Sequence, residues 1–298
     1  MLDYKLLAAL SAVLQHGGFE AAARALHLTQ SAVSQRIRAL EDQLGRPVLS
    51  RGSPPQATAA GARLLQHAQQ VAALEADLAN SLDAAENGDG YVELRVALNN
   101  DSLYYWFLDA AAPLLAERRV TLALAVDDEG QTDKLLKAGK VFAAISSRPQ
   151  APHGCKTEDL GILRYVCVAT PAFRKRFFQK GVTPRALQKA PYIIFDANDN
   201  MHAEFLSSCF GLDDCEAPRF SLPAPGAFLK IALQGVAYGF IAEIEAAPHI
   251  KAGRLVALTP RKSIDRRLYW HSWYLQPEAH AALGRAVIGY ARRHLLQQ

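Results

Sequence analysis

The sequence predicts an α/β protein that carries an all-α helix-turn-helix module with a short wing at its N-terminus. Three observations predict it. Apolar residues recur at helical spacing through the first sixty positions. One uninterrupted helical pattern then runs from Thr58 to about Ala85. After residue 90, short strand-like runs alternate with helical ones.

The first helix is read from Tyr4, Leu7, Leu10, Val13 and Leu14, and Gly17-Gly18 ends it. Phe19 to Leu26 forms a second, short helix, in which Ala21, Ala22, Ala23 and Ala25 permit close packing. His27-Leu28-Thr29 is the turn, and Thr29 is placed to cap a third helix. Ala32, Val33, Ile37, Leu40 and Leu44 give that helix its apolar stripe, and Gly45 stops it. Val48-Leu49, Arg51 and Gly52-Ser53-Pro54-Pro55 read as a wing hairpin. In the long helix, Leu64, Val71, Leu78 and Ala85 repeat every seven residues, the pattern of a helix that pairs with a second copy of itself. An amphipathic helix packed on its own domain would show the same pattern. Glu86-Asn87-Gly88-Asp89-Gly90 is a linker by composition. Expected strands are Tyr91–Leu98, Val120–Val126, Val141–Ser146, Tyr165–Ala169, Tyr192–Phe195 and Tyr238–Ala242, largely parallel. About 200 residues suffice for two small α/β lobes.

The third helix has an unusual outer face. Gln30, Ser31, Ser34, Gln35, Arg36 and Arg38 crowd it, with no acid before Glu41. A helix laid in the major groove needs such side chains. Glutamine pairs with adenine edges, arginine with guanine or phosphate, and serine with either bases or backbone. An acid there would repel phosphate. A solvated helix in an all-α core remains the alternative from pattern alone.

Composition narrows the class further. The net charge of +4 is too weak by itself to identify a nucleic-acid partner. Cys155, Cys167, Cys209 and Cys215 show no CxxC spacing, so no disulfide framework is expected and a reducing, cytoplasmic setting is. No leader pattern and no apolar run of about 20 residues is present, so no membrane partner is expected. The serine-hydrolase elbow, the phosphate-binding loop, the dinucleotide fingerprint and the HExxH zinc motif are all missing. An enzyme is not expected, nor is a metal or other cofactor. His271 in "YWHSWY" is expected to pack among aromatics.

The run "GGFEAAARALHLTQSAVSQRIRALEDQLGRPVLSR" resembles the winged helix-turn-helix of LysR-type transcriptional regulators, and the resemblance extends over the whole chain. "RGSPPQATAAG", "NNDSL", "VDDE", "FDANDNMH" and "LYWH" are similar to the ArgP/LysG branch, which responds to lysine and arginine and controls genes such as basic amino-acid exporters. The resemblance implies a DNA-binding module over 1–58, a linker and dimerisation helix over 59–90, and an effector domain over 91–298 like a periplasmic binding protein. Its lobe I would take about 91–163 plus 267–298, and lobe II about 164–266. It also implies double-stranded DNA, RNA polymerase and a second or fourth copy of the chain as partners. Thr29, Gln30, Ser31, Ser34, Gln35, Arg36, Arg38 and Arg51 are the expected DNA contacts, and Leu64, Val71 and Leu78 the expected dimer seam.

Ligands in open α/β sheets bind beyond the carboxyl ends of the strands. Those ends carry Asn100, Asp101 and Ser102, then Asp127, Asp128 and Glu129, then Ser147, and in the second lobe Asp199 and His202. Ser102 is expected to open a helix whose amides receive a carboxylate, and the acids to meet a cation. Helix capping by Asp101-Ser102, a solvated turn at 127–129 and simple packing of His202 are the alternatives. Where related proteins have a proline-containing turn, this chain has Glu243-Ile244-Glu245, so Glu243 either adds negative charge to the cleft or caps a helix. Two other functions compete. One is a thiol switch at Cys209 and Cys215, which Asp213, Asp214 and Glu216 disfavour by raising a thiol pKa. The other is a DNA-compacting or replication-modulating role without an effector.

Overall fold

The computed structural model describes residues 2–50, 52–86, 91–127, 132–211 and 217–297. Its N-terminal module is three helices, α1 (Tyr4–His16), α2 (Phe19–Ala25) and α3 (Gln30–Leu44). The local signals act as the chemistry requires. Asp3 accepts a hydrogen bond from the Lys5 amide at 2.8 Å, and Gly17 and Gly45 close α1 and α3 in the left-handed region. Leu7, Leu10, Val13, Val33, Ile37 and Leu40 converge into one small core. The turn between α2 and α3 places His27 at φ 54, a conformation that histidine tolerates better than most side chains.

Glu41, the first acid of α3, has a structural task. Its Oε1 accepts the Val48 amide at 2.8 Å, fixing the start of the wing. A bridge between Leu49 and Ala57 closes that wing. Thr58 donates from its hydroxyl to the Pro47 carbonyl at 2.9 Å and receives the Gly61 amide at 3.1 Å, so it caps the long helix α4 (Ala59–Glu86). The 28 residues of α4 span about 42 Å. The heptad seam divides along it. Leu64 packs against the N-terminal core, whereas Leu74 and Leu78 stand exposed.

Beyond the linker lie β1 (Val92–Leu98), α5 (Asn100–Ser102), a π-helical turn (Leu103–Phe107) and α6 (Leu108–Glu117). They are followed by β2 (Val120–Val126), α7 (Thr132–Lys137), β3 (Ala143–Ser146) and β4 (Cys155–Ala169). Next come α8 (Pro171–Phe177), α9 (Pro184–Leu187), β5 (Tyr192–Ile194), α10 (Met201–Phe210), β6 (Arg219–Ser221) and α11 (Pro225–Leu233). The chain ends with β7 (Gly239–Ala242), α12 (Glu243–Lys251), β8 (Val256–Ala257), β9 (Ser263–Trp273) and α13 (Glu278–His294).

The strands form a curled mixed sheet in the order β2-β1-β3-β9-β4-β7, with β8 beside β4, and β5 and β6 pair separately. The expectation of largely parallel strands is therefore corrected. β1 pairs in parallel with β2 and β3, but β9 is antiparallel to both β3 and β4. The long β4–β9 pair runs from Cys155↔Trp273 to Val166↔Ser263, and the lobe boundaries expected near 164 and 266 fall inside it. The first half of β4 and all of β9 escape detection in the sequence because Lys156, Glu158, Asp159, Asp265, Arg266 and Arg267 break their apolar runs. Most of those charges are paired: Arg267 with Asp159 at 2.5 Å, Asp265 with Arg164, Arg266 with Glu204 of α10 and Glu158 with Arg292 of α13. Lobe I packs α6 and α13 on its sheet, and lobe II packs α11 and α12 around β7.

Candidate nucleic-acid interface and interlobe cleft

Thr29 caps α3, accepting the Ala32 amide at 3.2 Å, and its hydroxyl lies 3.0 Å from that of Ser31. Gln30, Ser31, Gln35 and Arg38 are exposed, while Ser34 and Arg36 are half-buried. Val33, Ile37 and Leu40 hold the opposite face in the core. Gln30, Ser31, Ser34, Gln35 and Arg38 therefore share one accessible helical face, beginning at an N-terminus whose backbone dipole favours phosphate, whereas Arg36 lies on the flank beside the buried stripe. Arg51 lies outside the described residues.

Between the two lobes lies a cavity of about 300 Å³. Lobe I contributes Asn99, Asn100, Asp101, Tyr105 and Asp127. Lobe II contributes the segment from the end of β5 to the start of α10, including Asp196, Asn198, Asp199 and His202, with Phe228 and Phe240 as an apolar wall. Tyr165 and Arg266, from the long strand pair, complete it. Its carboxylates are Asp101, Asp127, Asp196 and Asp199, against the single guanidinium of Arg266. Glu204 already claims that guanidinium through two hydrogen bonds of 3.0 and 2.5 Å, which hold the Glu204 carboxyl below its usual range. Among the described residues the cavity is thus strongly negative.

The acids are held differently. Asp199 accepts the Phe195 amide at 2.8 Å and the Met201 amide at 3.0 Å, so it organises its own loop. Asp196 accepts the Asn198 amide at 2.7 Å. Asp101 is tied to the Tyr165 hydroxyl. Burial pushes the Asp101 carboxyl upward, the Tyr165 bond opposes this, and the charges of Asp199 and Glu245 add to the rise. His202 is buried, stacked on Tyr192 at 3.7 Å with its Nε2 2.5 Å from the Tyr238 hydroxyl. It lines the cavity and is also a packing residue.

Three expected cleft residues lie elsewhere. Ser102 does not open the helix. Asn99 does, its side chain accepting the Ser102 amide at 3.2 Å, and Ser102 itself is fully buried away from the cavity lining. Ser147 is absent from the lining, and Glu243 is the first residue of α12, on the Arg164 side of the sheet. Asp128 and Glu129 lie outside the described residues. Tyr105, Tyr165, Phe240 and Arg266 were not legible as cleft residues, since only the curl of the sheet brings their strands and helices together.

Among the described residues, His271, Cys155 and Cys167 are held in structural settings. His271 is not merely packed among aromatics. Its Nδ1 lies 3.0 Å from Asp133 Oδ1, fully buried, and Ser146 donates to Asp133 Oδ2 at 3.1 Å. The serine hydroxyl bonds the carboxylate rather than the imidazole, so the histidine does not activate it as a nucleophile. Burial pushes the Cys155 thiol up to about 12 and raises that of Cys167, which suppresses thiolate chemistry. Cys209 is half-buried, and Cys215 lies outside the described residues. No described helix is long and apolar enough to cross a membrane.

Comparison with known proteins agrees with this architecture. Residues 4–62 match the bacterial regulatory helix-turn-helix protein, lysR family, and residues 87–295 match the LysR substrate binding domain. The chain is 42% identical over 294 residues to the HTH-type transcriptional regulator ArgP of Aeromonas salmonicida, covering 99% of this chain and 98% of that one. Crystal-structure ArgP from Mycobacterium tuberculosis superposes with a TM-score of 0.85 at 31% identity over the full length of both chains. Full-length LysG from Corynebacterium glutamicum, with its effector Arg bound, superposes with a TM-score of 0.87 at 30% identity, covering 99% of this chain and 100% of that one. The chain belongs to the LysR family of bacterial helix-turn-helix transcriptional regulators.

Proposed function

We propose that this regulator senses a basic amino acid, L-lysine or L-arginine, in its interlobe cavity. It would thereby control genes of basic amino-acid export or metabolism in the cytoplasm. The observation that carries the reading is the cavity's charge, with Asp101, Asp127, Asp196 and Asp199 facing one arginine that Glu204 already neutralises. A dibasic amino acid brings two cations and one anion, which complements that lining, whereas glutamate would be repelled. The bound Arg of the LysG structure supports the same class of ligand.

In this reading the exposed face of α3 reads the major groove. Gln30, Ser31, Gln35 and Arg38 approach base edges or nearby phosphates, and Arg51 reaches a phosphate. The module spans 1–58, the linker 59–90 and the effector domain 91–298. The exposed seam at Leu74 and Leu78 joins two chains, so two recognition helices address a roughly palindromic site. Effector binding changes the disposition of the lobes and, through α4, the DNA geometry or the polymerase contact. A thermal-shift screen of the twenty common amino acids tests the assignment. Lysine or arginine should raise the unfolding temperature and glutamate should not. Stabilisation by leucine or glutamate alone would overturn it.

A further inference from the structure

The π-helical turn Leu103–Phe107 interrupts an otherwise continuous helix of lobe I at the edge of the cavity. Such turns re-aim side chains and often sit at functional sites. Here two adjacent tyrosines set their rings nearly perpendicular, yet both approach Glu245 of lobe II. Tyr105 is half-buried and lines the cavity, while Tyr104 is half exposed, and their rings lie 4.9 Å apart. Tyr104 leaves its own lobe altogether. Its hydroxyl donates to Glu245 Oε1 of α12 at 2.9 Å. Its ring lies over Gly226 at the start of α11, so closely that a Cβ there would meet the Tyr104 oxygen at 2.9 Å and ring carbons at 3.1 Å. Both contacts are to lobe II, and Pro225 and Phe228, on either side of Gly226, line the cavity.

We propose that Tyr104, seated on Gly226 and bonded to Glu245, is a latch between the lobes that sets how often the effector cavity stands open. The inference deepens the effector reading given above and rests on it for its ligand. The latch acts without touching the effector. It joins the two walls of the cavity beside its apolar side. The absence of a side chain at 226 leaves the ring its seat, and a Cβ there would push the tyrosine aside. A hydrogen bond from a neutral donor to a partly desolvated carboxylate is strong enough to bias two positions of a hinge and weak enough to be released thermally. Breaking it shifts the protein toward the open cleft. Entry and escape of the ligand then both quicken, and affinity falls because more of the closing work falls to the ligand.

The test uses the full chain and four variants. Tyr104→Phe keeps the ring and deletes the bond, Glu245→Ala deletes the acceptor, Glu245→Gln keeps a carbonyl acceptor, and Gly226→Ala displaces the ring. Stopped-flow binding of arginine and lysine should show both association and dissociation faster in Tyr104→Phe, Glu245→Ala and Gly226→Ala. Affinity should fall by about threefold to tenfold in each. The Tyr104→Phe/Glu245→Ala double variant should be no worse than Glu245→Ala alone, which also frees Tyr105, and Glu245→Gln, with a neutral acceptor, should fall between the wild type and Glu245→Ala. Simple local damage would not quicken association, so slower or unchanged association overturns the latch, as do additive losses. The ligand-free protein supplies an independent arm. Spin labels on an exposed site of each lobe, such as Glu117 and Lys189, should report a longer or broader distance in Tyr104→Phe. If neither basic amino acid binds the wild type, the effector reading fails while this distance still decides the latch. An unchanged distance distribution overturns it.

Discussion

The carboxylate of Asp101 and the hydroxyl of Tyr165 are hydrogen-bonded in the interlobe cavity, where a lobe I helix meets the strand that runs into lobe II. Burial and the nearby charges of Asp199 and Glu245 raise the Asp101 carboxyl above its ordinary range. A group raised in this way favours the protonated folded state. Its stabilising contribution is present below the unfolded pKa and is lost as pH rises through the folded one. The ionised carboxylate therefore weakens the ligand-free protein at neutral pH and is ready for a cation. Asp101→Asn, which can still accept the Tyr165 bond, should raise the unfolding temperature of the ligand-free protein at pH 7. It should weaken arginine binding by about 2–5 kcal/mol. Lysine and arginine affinity should fall on acidification at a higher pH than an ordinary carboxylate would give, and this fall should flatten in Asp101→Asn. A variant that loses stability and keeps its affinity would remove Asp101 from the ligand site.

Gly61 carries the junction between the wing and the linker helix. A Cβ there would stand 1.9 Å from the Val48 carbonyl oxygen, a backbone atom that cannot rotate away. Gly61→Ala should cost about 1–3 kcal/mol in chemical denaturation and weaken operator binding by displacing the wing. Glu41→Ala, which frees the Val48 amide, should weaken DNA binding in the same direction. Gly18→Ala is the control, since nothing lies within 4 Å of the added carbon. Equal stability for Gly61→Ala and Gly18→Ala would contradict the packing described.

The recognition face makes separable predictions. Gln30→Ala and Arg38→Ala should cost about 1–3 kcal/mol of operator affinity and relax base preference at single positions. Arg51→Ala should weaken binding to all sequences alike and reduce the salt slope by about one unit. Fluorescence anisotropy over a salt series distinguishes the two classes. Uniform behaviour of all three variants would show that α3 contacts only the backbone.

Leu78 is 60% exposed on α4, and Leu74 is 38% exposed, while Leu64 is engaged by the N-terminal core. A charge on the outer part of the seam should therefore separate chains without unfolding the module. Leu78→Asp should scatter light as a smaller particle and lose operator affinity, with helix content unchanged. Full mass with full affinity would mean that the chains associate elsewhere.

The helix-turn-helix was legible because its information is local. A cap at Thr29, a stop at Gly45 and a 3.6-residue stripe at Val33, Ile37 and Leu40 each lie within one element. Strand ends at Leu98 and Val126 were legible for the same reason, and they delivered Asn100, Asp101 and Asp127 to the cavity. Tyr165 and Arg266 were not, because their places depend on the antiparallel β4–β9 pair, whose residues are separated by about a hundred positions of chain, and Tyr105 was not, because a π-helical turn that carries no local sequence signal aims it. The misplacement of Ser102 has a smaller cause. The helix begins two residues earlier, with Asn99 as its cap, and this turns the serine inward.

Titration calorimetry of arginine, lysine, leucine and glutamate into the full chain tests the central claim most directly. The charge of the cavity predicts saturable binding of arginine or lysine and none of glutamate. Binding of glutamate or leucine with none of either basic amino acid would contradict it.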